Sequence, residues 1–447
     1  MQTSRRSFLK SSSMAAGSLA LSAAPAILNG QTTKSGVKHT VALLGCGWWG
    51  TNILGAALKD GRVKVVGLCD VDAAQIKKCA ENIGKLTSDT PRTYVDYREL
   101  LEKEKPQLVI VGTPDHWHPL MMIAAVRAGA HVYVEKPIGH TVLEGAAMVK
   151  AARDSGRIVQ VGTHRRVSPH NLSAREFIRS GKVGTIGEIK CFVNGGGEGP
   201  EKPQANEEPP ADLNWDLWCG PAPLRPFNKK IHTRGHRQFL DFANGQLGDW
   251  GIHWLDQVLW IMERHHPTTV FSTGGRPIKG APVNDGKQQT TDAPDHQIAT
   301  YAFDDFTMTW EHRQFAGDPT SKHQPIGVEF CGTNGVFHLG WLDGWTFYPI
   351  DDKQPTVHED AKFTGEFQDN VPELWKDFVD AIEQNRAPAC DIEAGHRATT
   401  CALLGMLSLK LGRSVRWDGA KQTILDDPEA AALLKREYRG PWEYPKA

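Results

Sequence analysis

From residue 40 onward apolar residues fall in short runs, and the gaps between runs have the length of helices. Val41–Leu44, Val63–Asp70, Leu108–Gly112, His131–Val134 and Ile158–Gly162 read as strands. Gly50–Leu58, Ala73–Ile83, Tyr97–Glu104, Pro119–Ala128 and Val142–Ser155 read as the helices between them. A strand that is apolar throughout is buried on both faces, and helical crossovers join parallel neighbours. The pattern predicts an α/β domain over residues 40–163, built on a doubly wound parallel sheet.

After residue 163 the pattern changes. Ile186–Val193, Gln297–Phe303, Phe306–Gln314, Ile326–Thr333 and Gly335–Leu339 are longer, with alternating or aromatic character. Thr333-Asn334-Gly335 is a hairpin signal between the last two. Successive strands without helices between them predict a large, mostly antiparallel open sheet in an α+β domain, residues 164–447. Helices are expected at Gly251–Met262, Trp375–Gln384 and Ala394–Leu411, the last packing on the first domain. The Pro- and Gly-rich segments 194–226 and 273–295 are long enough to suggest function.

The N-terminus reads as a secretory leader. Ser4-Arg5-Arg6-Ser7-Phe8-Leu9-Lys10 is a twin-arginine motif, Met14–Leu21 is mildly apolar, and Ala24-Pro25-Ala26 offers a small-x-small cleavage site. The expectation is a signal peptide over 1–26, a polar linker over 27–39, and a periplasmic or otherwise exported protein handled by the twin-arginine (Tat) export machinery. The stretch is too short and too mild to span a membrane. The whole chain carries a net charge of −1, and the leader holds Arg5, Arg6 and Lys10 with no acid, so the mature chain is near −4. That balance argues against nucleic acid or an anionic membrane as partner. The eight cysteines are scattered without a C-x-x-C pair, which fits buried thiols better than a disulfide framework or a zinc site. The histidines, His265-His266 included, lack metal-ligand spacing, so no metal is expected.

The chemistry begins where strand meets helix. Gly45-Cys46-Gly47-Trp48-Trp49-Gly50 is a G-x-G-x-x-G turn after a buried strand and before a helix. In that context Gly45 permits the tight turn, Gly47 lets the backbone approach a pyrophosphate, and Gly50 lets helix and strand pack closely. The phosphates lie on the helix N-terminus, where free N–H groups favour an anion. Asp70 ends the second strand, where a carboxylate accepts ribose hydroxyls and repels a 2′-phosphate. No arginine follows it, so NAD is expected over NADP.

Thr113-Pro114-Asp115-His116-Trp117-His118, the run His131-Val132-Tyr133-Val134-Glu135-Lys136-Pro137 and Asp249-Trp250-Gly251-Ile252-His253-Trp254-Leu255-Asp256 complete the set. Together with the glycine turn they resemble the Gfo/Idh/MocA oxidoreductases, the group of glucose–fructose oxidoreductase and inositol dehydrogenase, over about residues 40–415. The tail from Asp426 to Trp442 is similar to the exported bacterial branch.

The resemblance implies a Rossmann domain followed by a substrate and oligomerisation domain, and a homodimer or homotetramer assembled on the second sheet. It implies an NAD(P)-dependent enzyme acting on a CH–OH group of a sugar or polyol. Lys136 would reach the reacting hydroxyl and the nicotinamide ribose of the cofactor, His253 would be the general base, and Asp249 would bind substrate or orient the imidazole, with Asp256 as further support. Trp48, Trp49, Thr113, Pro114, His118 and Glu135 would join the glycines and Asp70 around the cofactor.

On the substrate side, His164, Arg165, Arg166, His236 and Arg237 could hold hydroxyls, and Trp215 could stack on a pyranose. A twin-arginine signal on a nicotinamide enzyme implies a cofactor loaded inside and retained. The alternatives are a redox-neutral NAD-dependent glycosidase acting through a 3-keto sugar, and a non-catalytic sugar-binding protein.

Overall fold

The computed structural model describes residues 39–317 and 323–446. The leader, and the linker up to residue 38, lie outside the described residues.

In the first domain strands and helices alternate: β1 (His39–Leu44), α1 (Trp48–Asp60), β2 (Val63–Cys69), α2 (Ala73–Ile83), β3 (Arg92–Tyr94), α3 (Tyr97–Glu104), β4 (Leu108–Val111), α4 (His118–Arg127), β5 (His131–Val134), α5 (Val142–Ser155) and β6 (Val159–Val161). The strands lie in the order β3-β2-β1-β4-β5-β6, and every pair is parallel. Alternate residues feed two layers. Val41, Leu43 and Ile110 pack on one face, and Ala42, Leu44, Val109 and Val111 on the other. Strand order reverses between β1 and β4, which opens a crevice at their carboxyl ends.

The second domain continues with α6 (Pro169–Arg179), β7 (Ile186–Asn194), β8 (Gln204–Ala205), α7 (Trp215–Cys219), α8 (Ile252–Met262), β9 (Thr269–Gly275), β10 (Gln288–Gln289), β11 (His296–Ala302) and β12 (Thr307–Arg313). It ends with β13 (Ile326–Gly332), β14 (Gly335–Gly340), β15 (Trp345–Pro349), β16 (Val357–Glu359), α9 (Val371–Gln384), α10 (Ile392–Leu411), β17 (Val415–Asp418), β18 (Thr423–Leu425) and α11 (Pro428–Ala432). Ten strands form one sheet, β16-β15-β14-β13-β7-β12-β11-β9-β17-β18. Only β7 and β12 pair in parallel there. Its inner face, with Ile189, Tyr301, Trp310, Phe330 and Phe337, packs on Leu255 and Val258 of α8 and on Cys401 and Leu404 of α10.

Two helices tie the halves together. α10 starts against the first sheet, where Ile392 joins the core of β5 and β6, and ends on the second, where Ser408 Oγ accepts from Ser272 N. α9 belongs to the first sheet's core, with Trp375 and Phe378 packed beside Leu43 and Ile110, and Asp380 accepting from Arg62. The segments expected as functional loops are mostly knitted structure. Their strands β8 and β10 pair with each other, and Glu201 holds Lys230, Arg276 and Thr291. All eight cysteines are free thiols, seven of them buried. Among the described residues no helix is long and apolar enough to cross a membrane.

Candidate active site

The glycine turn closes where β1 meets α1. Gly45 has φ +92°, and a Cβ there would come within 2.8 Å of the Gly112 carbonyl and the Thr113 nitrogen. Gly50 serves packing, since a Cβ on it would lie 2.1 Å from Gly45 O. Gly47 is different. It has φ −63° and ψ 177°, and a Cβ would meet no atom within 4 Å. No protein contact requires a glycine there, so the space beside it is available to a ligand. Gly47 is also the N-cap of α1 and no side chain caps that helix, so its first N–H groups face the same space. This chain's residues therefore fit a dinucleotide.

Asp70 stands across the turn. Its Oδ2 accepts from Cys46 N at 2.7 Å and its Oδ1 from Asp72 N at 3.0 Å, so it also braces the glycine loop. Burial pushes its carboxyl up to about 6 against the pull of those two bonds. The cap of α2 is the neighbouring Asp72, which accepts from Ala74 N and pairs with His232 at 2.8 Å.

These groups open into a cavity of about 410 Å³. Gly45, Gly47, Trp48, Trp49, Asp70, Thr113, Pro114, His118, Glu135 and Lys136 line it together with Arg237, Asp249 and His253. Lys136 follows β5. Its Nζ donates to Asp249 Oδ1 at 2.7 Å and to the Asp249 carbonyl at 2.8 Å. Asp249 lies in a π-helical turn, Leu247–Gly251, that runs into α8 and sets its carboxylate against Lys136. Burial would raise that carboxyl, but Lys136 and Arg237, the latter at 3.5 Å, hold it at about 2.

His253 is one turn on. Its ring lies 5.2 Å from that of His164 and 5.1 Å from that of Trp341. Nδ1 is buried without a partner, and the residue lines the cavity. Burial first, then Lys136, His164 and Arg165, push His253 well below the ordinary histidine range, so it is neutral at pH 7.

Four sequence expectations are corrected. Asp256 does not orient His253; it is fully buried and holds Arg166 with two bonds of 2.8 and 2.7 Å. Arg166 is thereby fixed, bonded also to the Ala389 carbonyl, and does not line the cavity. Arg165 is buried with its guanidinium 3.5 Å over the Trp341 ring and does not line the cavity either. Trp215 stacks on Trp218 at 4.6 Å and donates to the Arg225 carbonyl inside a core cluster, so the cavity meets Trp218 instead.

His118 does reach the cavity wall, but its ring nitrogens face the carbonyls of Pro137 and Thr113 at 2.7 and 2.8 Å. Burial lowers it to about 4, and the neutral ring, with a single N–H, donates to only one of these two carbonyls at a time.

Asp115, Arg234, Trp341 and Glu366 also line the cavity, with no role expected from the sequence, beside Glu135, which was expected near the cofactor. Asp115 is buried, and burial pushes its carboxyl up to about 7. Glu135, raised to about 7 for the same reason, accepts from Lys136 N at 3.2 Å. Trp341 arrives on the turn after β14, and Glu366 from the turn before α9 accepts from its Nε1 at 3.1 Å. Arg234 lies over Trp48 at 4.2 Å.

Comparison with known proteins decides the family. The NAD-binding Rossmann-fold model of the Gfo/Idh/MocA oxidoreductase family matches residues 39–163. The family's C-terminal alpha/beta domain matches residues 197–305 and 349–444. The chain belongs to the Gfo/Idh/MocA oxidoreductases. The uncharacterized oxidoreductase YrbE of Bacillus subtilis (strain 168) is 30% identical over 371 residues, 79% of this chain and 89% of that protein. Glycosyl hydrolase family 109 protein 1 of Shewanella sp. (strain ANA-3) is 29% identical over 128 residues, 28% of each. Levoglucosan dehydrogenase, solved with NADH and levoglucosan, matches with a TM-score of 0.63 at 19% identity, covering 88% of this chain and 100% of that one. At that identity the likeness is one of fold. As a member of this family, with its glycine turn and Asp70 in place, the chain is an NAD-dependent oxidoreductase.

Proposed function

We propose that the enzyme oxidises or reduces a CH–OH carbon of a sugar or polyol, with the reacting hydroxyl held between Lys136 and His253. The observation that carries this is the Lys136–Asp249 pair facing His253 in the cavity that also holds the dinucleotide turn. NAD, held by the turn and Asp70, supplies the hydride acceptor or donor. Lys136 places a fixed ammonium where an alkoxide develops, the kind of preorganised charge that lowers such a barrier most. Asp249 aims that ammonium. His253, neutral at rest, takes the hydroxyl proton. The nearby Lys136 charge disfavours the imidazolium, and an alkoxide forming between them offsets that repulsion. Trp48, Trp250 and Trp341 give apolar walls and Arg237 a donor, a mixture suited to a hydroxylated ring.

The reading includes export with bound cofactor, supported by the arginine-pair leader. It also includes a homodimer or homotetramer formed on the outer face of the ten-stranded sheet, where Phe271, Ile298 and Tyr348 are exposed. Light scattering that returns a monomer at micromolar concentration would remove that assembly.

A second reading, redox-neutral glycoside hydrolysis through a 3-keto sugar, is favoured by the match to a glycosyl hydrolase family 109 protein. The retained Glu135-Lys136-Pro137 run favours net hydride transfer instead. One experiment separates them. Purified protein is incubated with a panel of glycosides and polyols and the products are analysed. Ketosugar with reduced cofactor supports the dehydrogenase, free aglycone with unchanged cofactor supports the hydrolase, and neither refutes both.

A further inference from the structure

We propose that His323 Nδ1, His338 Nε2 and Asp343 Oδ2 bind one divalent transition-metal ion of the zinc class. The site lies on the outer side of β13 and β14. His338 is on β14 opposite Glu329, its side chain 2% exposed, and neither ring nitrogen has a hydrogen-bond partner. The second carboxylate oxygen of Asp343, Oδ1, is also buried without a partner. Buried polar groups are almost always bonded, so such a cluster needs an explanation, and a bound ion is one.

The distances supply it. Asp343 Oδ2 is 3.7 Å from His323 Nδ1 and 3.8 Å from His338 Nε2. These are too long for hydrogen bonds. They suit the edge of a tetrahedron about an ion with ligand bonds near 2.1 Å, an edge of about 3.4 Å. All three donor atoms lie within 4.8 Å of one another. A ligating histidine's other nitrogen is usually held by an orienting group, and His323 has one while His338 has only a carboxylate beyond hydrogen-bond reach. His323 Nε2 bonds Tyr348 Oη at 2.9 Å, and His338 Nδ1 faces Glu329 Oε1 at 4.0 Å. The two imidazoles stack with centroids 3.6 Å apart, so a modest swing of His323 brings both nitrogens onto one ion. Two imidazoles and a carboxylate favour zinc, cobalt or nickel over magnesium or calcium.

The ion would act as a clamp. Asp343 lies in the turn Gly340–Gly344, closed by a bond from Gly340 N to Gly344 O at 2.9 Å. Trp341, two residues before Asp343, is the ring against His253. Fixing Asp343 to β14 and to His323 fixes the turn that presents Trp341 to the cavity. The donors stand 15 and 5 residues apart along the chain, and folding of β13 to β15 assembles them.

The test uses full-length protein without a polyhistidine tag, stripped with chelator and titrated with Co²⁺. One equivalent should bind, with the visible absorption of four-coordinate cobalt, and Zn²⁺ should displace it. His338→Ala and Asp343→Ala should each weaken binding at least tenfold, while His265→Ala with His266→Ala should leave it intact. Zn²⁺ should raise the unfolding midpoint of the wild type and not that of Asp343→Ala. Should His338→Ala fail to fold, Asp343→Ala, in a turn, carries the test alone. No stoichiometric Co²⁺ binding at micromolar concentration, or binding unaffected by Asp343→Ala, overturns the site.

Discussion

Gly47→Ala separates what the fold needs from what the cofactor needs. The backbone at Gly47, φ −63° and ψ 177°, is open to any L-residue, and its Cβ position is clear to 4 Å. The added methyl therefore strains nothing in the free protein. Loss of chain entropy in the unfolded state stabilises such a substitution by about 0.4–1 kcal/mol, and the poorer N-cap offsets about the same amount. The unfolding midpoint of cofactor-free protein should be nearly unchanged. A pyrophosphate lying on the turn must instead share its space with the methyl. Overpacking of one methyl costs about 1–3 kcal/mol, which weakens NAD by about 5- to 150-fold. Calorimetric titration of cofactor-free protein with NAD reads the affinity, and thermal melts without NAD read the fold. Unchanged NAD affinity with normal stability would show that the pyrophosphate does not lie on this turn, and the cofactor reading would fall. Gly50→Ala, whose Cβ would sit 2.1 Å from Gly45 O, should by contrast lower stability itself.

Further outcomes follow from the same geometry. Asp256→Ala strands the buried Arg166 charge and should cost about 3–5 kcal/mol in urea unfolding; a loss under 1 kcal/mol would contradict the ion pair seen here. Stability should fall as pH drops from 7 toward 5. Burial holds His116 near 3, His118 near 4, and His140, His164, His236 and His253 well below their unfolded value, so the unfolded chain takes up more protons below about 6.5. Asp70, Asp115 and Glu135, raised to about 6, 7 and 7, act in the opposite sense, but the histidines outnumber them. Denaturant midpoints that rise on acidification would refute this balance. Arg5→Lys with Arg6→Lys should leave folded, uncleaved protein in the cytoplasm, as cell fractionation would show; continued export would mean the pair is not read.

What could be read from sequence followed what is local. The apolar strands β1, β2, β4, β5 and β6 stand out because both their faces are buried. β3 does not, because only Tyr94 of its three residues is buried. α6 was missed although Ser168-Pro169 carries a start signal, proline in the first helical turn. In the second sheet, short edge strands such as β16 and β18 carry too few residues to show a period. The glycine turn, Asp70, Lys136, Asp249 and His253 announce themselves because each motif is contiguous. Asp256 was misjudged because three-residue spacing on a helix cannot tell which neighbour claims the carboxylate, and Arg166 comes from 90 residues away. Trp341 and Glu366 carry no local mark; pairing of β14 with β15 and the turn before α9 bring them to His253. Trp215 and Trp218 lie one helical turn apart, and only packing decides which meets the cavity.

The central claim is that Lys136 and His253 move hydride and proton in the cavity beside the bound dinucleotide. Its most direct test is single-turnover reduction of NAD bound to the protein, followed by absorbance of the reduced nicotinamide, with a substrate found in the product panel. Lys136→Ala and His253→Ala should each slow the reduction by about a hundredfold to ten-thousandfold while leaving NAD bound, since the glycine turn and Asp70 hold it. If His253→Ala reduces the cofactor at the wild-type rate across neutral pH, His253 is a structural histidine and this active site is wrongly assigned.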